Sequence, residues 1–236
     1  MPQTADAATD TVKALSEMRI EGKITNPKDS NIISDFNGEV IFEVYDKVDT
    51  FNTFGQQYSV PTKVPQRSSI FYAGKAEVRN GLFFTSFIVP KDINYRMGNG
   101  KISMYAFDKT KRKDAAGYKT DFIIGGGNTN AAIDTIPPEI ALFMNDTTFK
   151  SGNLTDTNPM ILAKFFDESG INIAKSSVGH EISAVIDSES ANPIILNDFY
   201  ETSLTTYRKG SVNYQLNALT DGNHTLTLKA WDTYNN

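Results

Sequence analysis

With 236 residues, of which 39% are hydrophobic and 11% aromatic, the chain can bury two hydrophobic cores of ordinary size. The absence of cysteine excludes disulfides, thiolate metal sites and a cysteine nucleophile within these residues. The net charge is −5, and the densest basic run, 108–117, is broken by Asp108, Asp114 and Gly117 as in a solvated hairpin turn. We therefore expect no nucleic-acid partner.

The first residues, 1–12, are rich in Ala, Thr and Asp and are predicted to be a flexible linker. They have no cationic segment followed by an apolar one, so we expect no signal peptide there. Val12, Leu15 and Met18 have roughly helical spacing, but any helix they form is expected to be short or absent. The sequence contains no run of about 18 apolar residues, so no membrane-spanning helix is predicted.

Residues 13–127 carry the alternating pattern of β-strands and are predicted to form a first Ig-like antiparallel β-sandwich. In the stretch GEVIFEVYDK, Val40, Phe42 and Val44 share one face, as expected of a strand with one buried side. The Asn80-Gly81 pair predicts a tight hairpin, because both residues accept a positive φ. Residues 48–69 are expected to be a long polar connection.

A linker is predicted at 128–138, after three glycines and up to the Pro137-Pro138 pair. We expect the relative domain orientation to vary around this segment. Short strands separated by turn residues then predict a second Ig-like β-sandwich over 139–236, which is expected to continue beyond Asn236 in the native protein.

One strand pattern occurs late in both domains, at 98–108 and at 222–232. The residues predicted to face the cores are Ile102, Met104 and Ala106 in the first copy and Leu226, Leu228 and Ala230 in the second. Asp108 and Asp232 are predicted to end these strands and to accept backbone N–H groups in the following turns.

No constellation in the sequence predicts catalysis, and we assign no catalytic, cofactor-binding or metal-binding residue. The only histidines, His180 and His224, lie in separate turns, and there is no Gly-x-Ser-x-Gly motif. Two separated histidines without cysteine do not predict a zinc site. The chain is therefore expected to be non-enzymatic and to need no cofactor.

Two weaker candidates for binding remain open. Asp167, Glu168 and Asn172 could supply oxygen ligands for calcium, although Asp167 with Ser169-Gly170 is more typical of a turn.

Three aromatic residues, Phe199, Tyr200 and Tyr207, could stack on sugars, although packing in the sandwich is the favoured interpretation.

Several stretches carry a family resemblance that covers residues 10–236. They include SFIVPKDINY, DESGINIAKSSVGHEI and IILNDFYET. The chain resembles the region after the peptidase domain in the type IX secretion system sortases of Bacteroidetes, which belong to the gingipain-like cysteine peptidases. In that family the catalytic Cys and His lie in the peptidase domain, so no catalytic residue carries over to this chain.

The resemblance implies a non-catalytic module that acts as a scaffold and protein-interaction surface. It implies an extracellular location at the bacterial outer-membrane surface. The implied partners are other proteins of the type IX attachment complex, including an outer-membrane β-barrel protein. The alternative is a surface carbohydrate-binding or adhesin module that reads lipopolysaccharide sugars. A free-standing hydrolase is the third hypothesis.

Overall fold

The computed structural model describes residues 11–56, 59–175, 179–187 and 192–236. Most of the predicted linker at 1–12 lies outside the described residues. The chain is in strands from Val12, and Leu15, at φ 60°, forms the turn between the first two of them. The described part of the helix considered around Val12, Leu15 and Met18 therefore consists of two strands and the turn between them. None of the described helices has the length and apolar character needed to cross a membrane.

The described residues of the first domain form eleven strands. They are β1 (Val12–Ala14), β2 (Glu17–Lys23), β3 (Gly38–Tyr45), β4 (Asp49–Asn52), β5 (Lys63–Gln66), β6 (Ile70–Arg79), β7 (Leu82–Ile88), β8 (Gly98–Asn99), β9 (Lys101–Asp108), β10 (Lys113–Lys119) and β11 (Ile123–Gly127). The second domain contains β12 (Glu139–Met144), β13 (Met160–Phe166), β14 (Ser183–Ile186), β15 (Ile194–Ile195), β16 (Tyr200–Thr202), β17 (Lys209–Gln215) and β18 (Leu226–Lys229), with a 3-10 turn at Asn197–Phe199.

A six-stranded antiparallel sheet, in the order β10-β9-β3-β6-β7-β2, forms one layer of the first domain. A smaller sheet, β1-β11-β8, supplies Ala14 and Ile124 to the same hydrophobic core. The predicted inward face of β3 is confirmed, because Val40, Phe42 and Val44 are at most 1% exposed. The pairing of β1 with β11 is parallel, so the start and the end of this domain are joined in one sheet.

The hairpin predicted at Asn80-Gly81 is confirmed. The two residues have φ values of 50° and 74° and connect β6 to β7, whose adjacent residues Arg79 and Leu82 are paired. A two-residue loop with positive φ at both positions matches the twist of the flanking strands.

The segment 48–69, predicted to be a long polar connection, contains two strands. β4 and β5 pair in antiparallel register and form a two-stranded arm outside the larger sheets. Every residue of β4 is exposed, so the alternation that marks a half-buried strand is missing from its sequence. The hydrogen bonds between β4 and β5 therefore define this arm. The sequence did not predict it, because its residues do not alternate between buried and exposed positions.

The three glycines before the linker were expected to be part of a flexible joint, but they belong to a strand. They form the end of β11, and Gly125 has a φ of 149°. A Cβ atom there would lie 2.6 Å from the Arg96 carbonyl oxygen. The glycine therefore permits a close approach of two backbone segments.

The second domain has a four-stranded sheet, β12-β13-β17-β16, and a three-stranded sheet, β15-β14-β18. Both sheets contribute to one core that includes Ile161, Ala184 and Val212. In the repeated strand pattern, the first copy buries its three predicted core residues, and the second packs Leu226 and Leu228 partly buried against this core. The prediction of an all-β sandwich fold is confirmed.

The two domains touch through packing and hydrogen bonds. Ala174 of the second domain is fully buried in the core of the first. The Thr202 hydroxyl donates a hydrogen bond to the Ala73 carbonyl oxygen at 3.1 Å. The Lys175 backbone N–H donates to the Ile70 carbonyl oxygen at 3.0 Å. Such contacts oppose free rotation of one domain on the other.

Candidate functional site at the domain junction

Asp92 of the first domain is the centre of a polar cluster at the junction. The segment that carries it is anchored by two buried side chains, Val89 and Ile93. Its carboxylate accepts hydrogen bonds from side chains of the second domain: the amides of Asn172 at 2.9 Å and Asn235 at 2.8 Å, and a ring nitrogen of His180 at 2.8 Å. One carboxylate thus joins three segments of the second domain.

His180 is engaged in this contact between the domains. Its Nδ1 faces Asp92, and its ring lies edge-on to Trp231 with 4.8 Å between ring centroids. An imidazole bonded to a carboxylate and packed on an indole is well placed to hold the junction together. A Ser-His-Asp site would also require a hydroxyl nucleophile on the other ring nitrogen, and no such bond is found among the described residues.

The turn predicted at Asp167 and Ser169-Gly170 is confirmed. Asp167 Oδ1 accepts the backbone N–H of Ser169 at 2.7 Å and of Gly170 at 3.1 Å, and also the Ser169 hydroxyl. The residues considered as calcium ligands do not act together, because Glu168 pairs with Arg208. The third of them, Asn172, binds Asp92 instead.

A different set of carboxylates converges. One oxygen each of Asp134, Asp167 and Asp232 lies within 4.8 Å of the others. Burial raises the pKa of Asp167 and of Asp232 above the ordinary range, and the negative charge of Asp134 raises both further. Sequence reasoning singled out Asp167 and Asp232 as turn formers and missed Asp134, since nothing in the order of residues brings these three segments together.

Asp108 ends β9 as predicted, whereas β18 already ends at Lys229, so Asp232 follows its strand instead of ending it. Asp108 accepts the Lys111 N–H at 2.9 Å, and Asp232 accepts the N–H groups of Tyr234 at 2.9 Å and Asn236 at 2.8 Å. Both turns depend on a short carboxylate that reaches backbone donors a few residues further along the chain.

His224 lies on the surface of the second domain, away from Asp92. Its Nδ1 is 2.6 Å from an Asp187 oxygen, and its Nε2 is 2.7 Å from the Thr220 carbonyl oxygen. The hydrogen bond to Asp187 raises the pKa of His224, and the same bond lowers the pKa of Asp187. Both neighbours accept hydrogen bonds, so the arrangement favours the charged imidazolium.

The variant Asp187→Asn is expected to lower the pKa of His224 towards its usual value. The pair stabilises the fold where Asp187 is ionised and His224 is protonated; this contribution is lost as pH rises through the raised pKa of His224 and as it falls through the lowered pKa of Asp187. NMR titration of the imidazole signals measures the shift. Asp221→Asn removes a nearby charge that does not contact His224 and serves as the control; an equal shift in both variants would contradict the direct bond.

The aromatic residues considered for sugar stacking have different surroundings. Phe199 is 45% exposed and packs edge-on against Tyr214. The Tyr200 hydroxyl is buried, while Tyr207 is partly buried against the core of the first domain. Of the three residues considered for stacking, Phe199 is the most exposed.

The β4–β5 arm, with the segment that joins its two strands, exposes several apolar side chains. Phe54 is fully exposed, Val60 is 80% exposed and Phe51 is 48% exposed. Exposed apolar groups of this kind, outside a packed sheet, are typical of surfaces that contact other proteins.

Comparison with known proteins identifies a relative among solved structures. No protein-family model and no curated protein matches the chain. Among solved structures, dimeric latent PorU from Porphyromonas gingivalis matches with a TM-score of 0.56 and 35% sequence identity. The match covers 97% of this chain and 21% of the PorU chain, so the present chain spans about a fifth of that relative. The family resemblance found in the sequence is confirmed: the chain is related over nearly its whole length to one region of PorU.

Proposed function

We propose that this chain is a non-catalytic β-sandwich module of a type IX secretion system sortase, displayed at the outer-membrane surface. The observation that carries the proposal is the relation to PorU at 35% identity over 97% of the chain. PorU belongs to the sortases whose post-peptidase region the sequence resembles. The parent protein would remove C-terminal signals from secreted cargo through a peptidase domain that lies outside these residues.

The module would act as a scaffold for the peptidase domain. Its junction supports this role, because hydrogen bonds to Asp92 and the burial of Ala174 hold the sandwiches against each other. A pair of domains held in this way can keep the peptidase at a set distance from the membrane. Proteins of the attachment complex are the proposed partners, and the β4–β5 arm is the proposed contact surface.

Partner capture by the arm tests the interaction role. In the full-length sortase, the double variant Phe51→Ser/Phe54→Ser is expected to lower co-purification of attachment-complex proteins at least tenfold, because a few exposed aromatic residues often dominate an interface. Cleavage of a short peptide substrate should persist, since the proposed peptidase domain, with its catalytic residues, lies outside this chain.

The matched control is Phe84→Ser, which removes another phenylalanine that is 56% exposed but lies on β7. Equal recovery of partners by the arm variant and the wild type would exclude the arm as the contact surface. Peptide cleavage by the isolated 236-residue chain would exclude the non-catalytic assignment.

A further inference from the structure

Three carboxylates from separate segments surround one point beside the linker. Asp134 belongs to the linker, Asp167 follows β13 and Asp232 follows β18. Their nearest oxygens lie within 4.8 Å of one another. Oxygens that bind one calcium ion at about 2.3–2.6 Å are separated by up to about 5 Å, so this spacing fits a shared cation.

The negative charge at this point has no side-chain counter-charge. Asp232 is fully buried and Asp167 is 5% exposed. Among the ion pairs of the described residues, none joins a Lys, Arg or His to Asp134, Asp167 or Asp232. Burying two neighbouring carboxylates without a positive partner is costly, and a bound cation removes this cost.

A buried hydroxyl that senses the charge of Asp167 gives a second observation. The Tyr200 hydroxyl is inaccessible to solvent and has no hydrogen-bond partner in the described part of the chain. Burial raises its pKa, and Asp167 is close enough for its charge to raise that pKa further. An unsatisfied buried hydroxyl calls for a partner, and a water molecule bound to a cation at Asp167 would supply one.

We propose that Asp134, Asp167 and Asp232 form a calcium site that fastens the linker to the second sandwich. The ligands are hard oxygens, which suit calcium and do not suit zinc, whose sites usually contain histidine or cysteine. The end of the chain lies at the same place, because the Asn236 amide donates to the Asp134 carbonyl oxygen and to Asp232, each at 3.0 Å. Calcium would therefore join the linker, the β13 turn and the C-terminal turn. This inference does not depend on the proposed function.

Terbium luminescence provides a direct test, because the single tryptophan of the chain, Trp231, adjoins Asp232. Excitation of the indole is expected to sensitise emission from bound Tb³⁺, and calcium should displace the ion. Asp134→Asn should weaken Tb³⁺ binding at least tenfold by removing one charged ligand from a partly exposed position. Asp156→Asn, which changes an exposed acid elsewhere, should bind as the wild type does.

Thermal unfolding gives a second readout. Calcium at 5 mM is expected to raise the Tm of the wild type by about 5 °C relative to chelator, and to leave that of Asp134→Asn nearly unchanged. Sensitised emission that is equal in the wild type and Asp134→Asn would overturn the site. Displacement of Tb³⁺ by magnesium as readily as by calcium would overturn the assignment to calcium.

Discussion

Replacing Phe87 by alanine is expected to lower the free energy of unfolding by about 3–5 kcal/mol. The Phe87 side chain is fully buried, and its ring stacks on Tyr72 with 3.6 Å between centroids. Removal of the ring leaves a cavity between the sheets of the first domain. Denaturant unfolding followed by circular dichroism measures the loss.

Phe84 on the same strand provides the matched control. It lies on the opposite face of β7 and is 56% exposed, so Phe84→Ala should change the free energy of unfolding by less than about 0.5 kcal/mol. Similar losses in the two variants would mean that the inward and outward faces of this strand are wrongly assigned.

Replacing Asp92 by alanine is expected to destabilise the junction by about 2–3 kcal/mol. The carboxylate is the common acceptor for His180, Asn172 and Asn235, and these donors would lose that partner. The domains should then separate about the linker at 128–138. Denaturant unfolding measures the free energy, and small-angle scattering should show an increased radius of gyration.

Two variants define the role of the carboxylate at position 92. Asp92→Asn keeps one acceptor oxygen and should give an intermediate loss. Glu21→Ala removes an exposed acid of the first domain, and its scattering should match the wild type. If Asp92→Ala scattered as the wild type does, packing around Ala174 rather than the polar cluster would hold the domains together.

Local patterns in the sequence predicted the β-strand character of both sandwiches. Alternation of side chains identified β3, because Val40, Phe42 and Val44 must all be removed from water on one face. Asn80-Gly81 identified a hairpin, since its backbone conformation suits those two residues. These features depend on neighbours in the chain, so one sequence contains enough information to predict them.

The β4–β5 arm and the parallel pairing of β11 could not be predicted from such local patterns. β4 has no buried face, and hydrogen bonding to β5 alone makes it a strand. Gly125 belongs to β11, whose parallel partner β1 lies at the other end of the domain sequence. Pairing over such a distance is decided by the tertiary fold.

Side-chain periodicity, backbone preference and composition were sufficient to predict the fold class, the tight turns and the lack of thiols within these residues. The tertiary structure decided which polar groups meet. Asp92 joins His180, and Asp134 approaches Asp167 and Asp232, across long separations in the chain. Such contacts form only when two packed cores fix the turns of different segments beside each other, and residue order alone does not specify that arrangement.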